Sequence, residues 1–280
     1  MKKSILYILI ATIIWGSTFP LMKIALEYIN PILFNLLRFL IAVIIFLPFS
    51  IKRLLNFRKT DFFSGIILGL FVSMGYIFQI VGLKYTDPDS STFITSLYIV
   101  VAPILAYFLL KEKLKIKNGI SLIIAIIGLL LISHSYEYGF NTGDILTVIS
   151  AISYGFQVVL IDKYSKEMDI FILSFYQLLF VTIFTSFLLP FYGISLIFNT
   201  SIILIIIYIS VFATAIALFM QIIGQRDIDS KTASFIFVFE PVFGAIFSFL
   251  IFSENFDYSM FAGSVLILIA SFISIYQKNR

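Results

Sequence analysis

Two stretches, FQIVGLKYTDPDSSTFI at residues 78–94 and MQIIGQRDIDSKTASFI at residues 220–236, read as copies of one another. At an offset of 142 they share Gln79/Gln221, Ile80/Ile222, Gly82/Gly224, Asp87/Asp229, Phe93/Phe235 and Ile94/Ile236. The same offset sets Glu112 on Glu254. Nearer the start, an offset of 139 sets Trp15-Gly16 on Tyr154-Gly155 and Arg38 on Gln177. A small insertion between the second and third helices of the later half reconciles the two offsets. Apolar helices can align by chance, but the shared Gln-x-x-Gly-x-x-x-x-Asp spacing argues against it.

The residues around these copies are those of a membrane protein. Of the 280 residues 61% are hydrophobic and only 12% charged, where soluble domains carry about 25% charged residues. A crossing needs about 20 mostly apolar residues. Ten stretches qualify, at approximately 4–24, 32–51, 63–83, 91–110, 118–134, 144–162, 170–189, 202–223, 232–252 and 259–277. Backbone groups in lipid must be satisfied within the segment, and no alternating barrel pattern is present, so all ten are expected as helices. The start resembles a signal peptide, but its apolar run is too long and no cleavage site closes it, so it reads as a retained first span.

Lysine and arginine set the orientation. With the N-terminus inside, the inner connections hold Lys2, Lys3, Lys52, Arg53, Arg58, Lys59, Lys111, Lys163, Lys166, Arg226 and Lys231, among others, against only Lys23 and Lys84 outside. Both termini are therefore expected in the cytoplasm of a cell with this protein in its plasma membrane. The net charge of +4 is accounted for by these loops, which face anionic lipid and not nucleic acid. Each half has an odd number of spans, so the second copy enters from the opposite face. The expected fold is an all-α integral membrane protein, with ten transmembrane helices as two inverted five-helix repeats, residues 1–138 and 139–280. Inverted repeats are the architecture of alternating-access transporters, with the site near the midplane.

Four motifs give a more specific likeness. IWGSTFPLMKIAL (14–26), LLRFLIA (36–42), LLKEKLKIKNGISLIIAIIGLLLI (109–132) and FVFEPVFGAIFSFLIFSEN (237–255) resemble the EamA family of the drug/metabolite transporter superfamily, over the whole chain. The resemblance implies ten helices in two repeats and transport of amino acids or other small metabolites, with no substrate named. Tyr154 stands where the first half has Trp15, and Ile99 where the second half has Pro241, departures that touch gate symmetry and not the fold.

Arg38 sits in FNLLRFLIAVIIF (34–46) with no acid within ten residues. A charge at that depth costs about 2.5–3.5 kcal/mol on insertion scales, so it needs compensation. Glu240, in FIFVFEPVFGAIF (235–247), is the only acid deep in a span. It is the expected partner of Arg38, directly or through water or substrate; a purely structural buried pair is the alternative. The repeat pairs Trp15 with Tyr154, Arg38 with Gln177, Gln79 with Gln221 and Tyr98 with Glu240, and residues related by an axis can converge on it. Asn35 shares the Arg38 face; Gln157 shares that of Tyr154; Tyr176 stands beside Gln177. These eleven residues are the expected substrate contacts, with helix packing as the competing reading for the aromatics and interhelical bonding for Asn and Gln. Pro241 removes the donor to the Phe237 carbonyl; Pro20 does the same in the first helix, and Gly16 loosens it through its conformational freedom. Gly65, Gly69 and Ser73 suit close helix packing, and His134 suits a solvated interface.

The expected function is secondary transport of small polar metabolites, amino acids or related compounds, with a proton or sodium ion as possible coupling partner and no cofactor. A flippase for a lipid or lipid-linked carrier and a membrane-embedded transferase are the alternatives. The chain has one histidine and no cysteine, which disfavours the transferase, and no phosphate-binding loop for ATP.

Overall fold

The computed structural model describes residues 2–55, 58–86, 88–111, 116–133, 141–197, 199–252 and 258–275. Asp87, Glu112, His134 and Glu254 lie outside those residues. The described chain is helical, with one isolated antiparallel bridge between Ile29 and Leu196. The helices are α1 (Lys2–Gly16), α2 (Thr18–Leu26), α3 (Pro31–Leu54), α4 (Lys59–Leu83), α5 (Pro88–Ser96), α6 (Tyr98–Leu109), α7 (Ile116–Ser133), α8 (Thr142–Glu167), α9 (Ile170–Tyr192) and α10 (Thr200–Tyr208). A π-helical segment (Ile209–Ile216) follows, then α11 (Ala217–Asp227), α12 (Ser230–Phe237), α13 (Phe239–Phe252) and α14 (Tyr258–Ile275). Among the described residues, eight stretches are long and apolar enough to cross a membrane, by length and composition; two shorter apolar helices, Ile116–Leu131 and Tyr258–Ile273, accompany them.

Helix starts are written locally. Asn30 caps α3 by accepting from Ile32 N, ahead of Pro31 at the first helical position, where a missing N–H costs nothing. Asn141 caps α8 in a reciprocal box with Asp144, and Asp169, Asn199 and Asp229 cap α9, α10 and α12. Such oxygens satisfy amides that have no partner within the helix.

Three spans are interrupted inside. α1 gives way to α2 at Ser17, α5 to α6 at Leu97, and α12 to α13 at Val238. Pro20 and Pro241 lie within four residues after two of these breaks, where each withholds an amide from the turn before it. Leu97 breaks without a proline in its own turn; Pro103 is a full turn further on. Its position is instead the counterpart, within one residue, of the Val238 break. In the eighth expected span, Thr214 Oγ1 donates to Ile209 O five residues back, at 2.8 Å, within the π-helical segment.

The packing is crossed. α1 lies against α11 and α13, whereas α8 lies against α4 and α6. The contacts correspond at the level of single atoms. A Cβ on Gly224 would meet Ser4 O at 2.9 Å, and one on Gly82 would meet Gly143 O at 2.9 Å. A Cβ on Gly16 would meet Phe243 Cβ at 2.6 Å, and one on Gly155 would meet Val101 Cβ at 2.9 Å. Every partner in one pair is the offset counterpart of its partner in the other. α3 and α9 flank this core, and α7 packs on α14. Gly65 and Gly69 of α4 admit the Tyr176 and Phe180 side chains of α9.

Candidate functional site

The interrupted and crossed helices surround a cavity with about 480 Å³ of empty space including its open mouth. Trp15, Arg38, Gln79, Tyr98, Tyr154, Gln157, Gln221 and Glu240 all line it. So do Thr18, Tyr76, Thr95, Val158 and Phe237, which the sequence reading missed. Most of the lining falls into counterpart pairs: Trp15/Tyr154, Thr18/Gln157, Gln79/Gln221, Thr95/Phe237 and Tyr98/Glu240. Applying the offsets to Gln157 would have found Thr18, and Tyr76 lies one helical turn before Gln79 on the same face. For Phe237, amid so many phenylalanines, the sequence gives no separate signal.

Arg38 is 2% exposed. Its Nε donates to Thr214 Oγ1 at 2.6 Å and its Nη1 approaches Met22 Sδ at 3.9 Å. The guanidinium carbon lies 4.5 Å from the Tyr76 ring centre and 5.5 Å from that of Phe39. The ring faces attract the cation, and the π-helical segment brings Thr214 to it. Among the described residues no carboxylate pairs with Arg38. Of the pairings with Glu240 left open by the sequence, directly or through water or substrate, the direct one is absent, and a hydroxyl and an aromatic face stand against the guanidinium instead. A guanidinium offers five N–H donors, and the protein atoms named here take up two of its three nitrogens.

Glu240 accepts from Tyr98 OH at 3.2 Å. From Arg38 to Glu240 runs an arc of rings, Tyr76 to Tyr154 at 5.3 Å between centres and Tyr154 to Tyr98 at 6.2 Å, and it continues from Tyr98 to Phe237 at 6.0 Å and Phe237 to Trp15 at 5.6 Å. Their polar ends are fixed from behind. Tyr154 OH donates to Gln79 Oε1 at 2.9 Å, and Trp15 Nε1 to Ala213 O at 2.9 Å. Gln157 Nε2 donates to Gln221 Oε1 at 3.2 Å. Positive, negative, aromatic and amide groups thus face one small space.

Asn35, Tyr176 and Gln177 lie elsewhere. Asn35 Nδ2 donates to Thr185 Oγ1 of α9 at 3.3 Å, which is the interhelical role. Tyr176 packs between Gly65, Phe62 and Phe180, so its aromatic signal is packing. Gln177 is fully buried with neither amide atom bonded. It corresponds to Arg38 in sequence but is not among the residues lining the cavity.

No group of three or more metal-ligating side chains occurs among the described residues. The family model described as the EamA-like transporter family matches residues 2–134 and 141–276. An uncharacterized transporter of Archaeoglobus fulgidus is 34% identical over 264 residues, covering 94% of this chain and 83% of the relative. The uncharacterized transporter YoaV of Bacillus subtilis is 25% identical, covering 100% of this chain and 99% of the relative. A solved crystal structure superposes with a TM-score of 0.82 at 16% identity, covering 98% of this chain and 97% of the other, which speaks to the fold alone.

Proposed function

This chain belongs to the EamA-like transporter family, and from that membership we propose that it is a secondary transporter of small polar metabolites, amino acids or related compounds, working by alternating access through the central cavity. The observation that carries the reading is Arg38: a buried guanidinium facing the cavity with no carboxylate of the described protein to neutralise it. A substrate carboxylate completes it, and charge-assisted bonding to a planar fork adds orientation as well as attraction. Glu240 receives the amino group or carries a coupling proton; a sodium ion is the other candidate for coupling. Trp15, Tyr98 and Tyr154 contact the apolar part of the substrate, and Gln79, Gln157 and Gln221 fix its polar edges. Asn35, Tyr176 and Gln177 act through packing of α3, α4 and α9 and not by contact.

In this reading all ten helices cross the plasma membrane, both termini are cytoplasmic, and the repeats meet at residues 138 and 139 with opposite orientation. The paired glycine contacts support a two-fold relation between the repeats; the odd number of spans in each half supplies the inversion. The transporter names of the relatives favour this over an enzyme. The test is counterflow of labelled amino acids in liposomes reconstituted with the protein, Arg38→Ala and Glu240→Gln. Transport that survives both substitutions unchanged excludes the assignment.

A further inference from the structure

The two ends of the cavity are not equivalent, although their sequences correspond. At the end nearer Lys166 and Arg226, α8 is tied to α11 by a run of amides. Gln157 Nε2 donates to Gln221 Oε1 at 3.2 Å, Gln221 Nε2 to Gln225 Oε1 at 3.0 Å, and Gln225 Nε2 to Val158 O at 2.8 Å. One turn beyond, Asp162, fully buried, accepts from Ser230 N at 2.6 Å, tying α8 to the start of α12. Gln225 is itself fully buried and does not line the cavity.

The counterparts at the other end are Thr18, Phe19, Gln79 and Leu83, with Lys23 and Pro88 in place of Asp162 and Ser230. Among the described residues the run of amides is not repeated there. The Thr18 hydroxyl donates to Trp15 O of its own helix at 2.7 Å, and Gln79 Oε1 is taken by Tyr154. Leu83, in the place of Gln225, has no polar side-chain atom, and Pro88 has no N–H. Close approach follows the bonds: α8 packs on α11, whereas α2 has no comparable seam with α4.

We propose that Gln157, Gln221 and Gln225 form a latch that closes the cavity toward the Lys166 face, leaving it accessible from the Lys84 face, and that its opening is the step that exposes the cavity to the other side. The latch joins the two glycine-seamed groups, α1 with α11 and α13, and α8 with α4 and α6. The groups are therefore the bodies that part. The inference rests on the transport reading for its purpose, but its geometry does not.

The chain has no cysteine, so a single one is an unambiguous reporter. Thr18→Cys lines the cavity away from the latch. Lys3→Cys and Lys84→Cys, in separate samples, mark the two faces. A membrane-impermeant cationic methanethiosulfonate is applied to right-side-out and inverted vesicles without any solute. Thr18→Cys is expected to react at least about tenfold faster from the Lys84 face. Adding Gln225→Met is expected to raise the rate from the Lys3 face by about fivefold, the order set by loss of interhelical bonds in a bilayer. Should Gln225→Met not yield monodisperse protein, Gln157→Met serves, because it removes the first bond from the α8 side. Equal rates from both faces, a faster rate from the Lys3 face, or a Lys3-face rate within twofold of the parent in the latch variant overturns the proposal. One-sided labelling in a protein that moves no solute retains the latch and removes the transport reading; the converse removes the latch alone.

Discussion

Replacing Arg38 by methionine separates a binding role from a structural one. The side chain is 2% exposed, donates to Thr214 Oγ1 and lies on the Tyr76 ring. A hydrogen bond to a charged group contributes about 1.5–3 kcal/mol, so losing one such bond to a substrate carboxylate weakens binding by roughly 10- to 150-fold. Stability follows a different course. No described carboxylate is left unpaired by the change, and Thr214 keeps its bond to Ile209 O. Replacing buried charge by an apolar chain of similar size is often neutral or stabilising. The melting temperature in detergent is therefore expected to hold or rise. Trp15, the only tryptophan, lines the cavity and reports occupancy by its fluorescence. Titration with amino acids that shift the melting temperature of the parent protein gives the affinity. If Arg38→Met binds within twofold of the parent while its melting temperature falls by several degrees, Arg38 is a structural element and the substrate assignment is wrong.

Thr214→Val removes the acceptor for Arg38 Nε and is expected to weaken binding about fivefold, with Thr214→Ser close to the parent in the same fluorescence titration. Gly224→Ala puts a methyl 2.9 Å from Ser4 O and is expected to cost about 1–3 kcal/mol as overpacking. Gly119→Ala, with nothing within 4 Å, should leave the detergent melt unchanged, and equal shifts in the two would discount the seam. Asn141→Ala deletes both bonds of the α8 cap and is expected to lower stability by about 0.5–2 kcal/mol, read as faster proteolysis near that helix start.

Eight of the ten expected spans were legible at full length because hydropathy is a property of single segments, while Ile116–Leu131 and Tyr258–Ile273 are shorter apolar helices; the repeat was legible because its Gln, Gly and Asp positions recur at fixed offsets. Trp15, Gln79, Tyr98, Tyr154, Gln221 and Glu240 came from that recurrence, and the cavity does lie among them. What failed is instructive in its physics. Gln177 was inferred from correspondence with Arg38, yet correspondence fixes a Cα and not how far a side chain extends. Tyr76 is aromatic in a chain that is 18% aromatic, so its position under a guanidinium had no contrast against the background. The π-helical segment is a property of hydrogen-bond register, and nothing in ISVFATAI announces it. The Thr214 contact with Arg38 could not be foreseen either, because it joins residues 176 positions apart with no recurrence to link them.

The crossed packing has a consequence for biogenesis. α1 leaves the ribosome well before the surfaces it needs: Ser4 bonds to Asp227, 223 residues later in the chain. Until α11 and α13 arrive, its glycine face and the Trp15 indole have only lipid or transient neighbours. The helix must therefore wait in the bilayer, and a chain truncated after the first repeat would hold it with no seat to occupy.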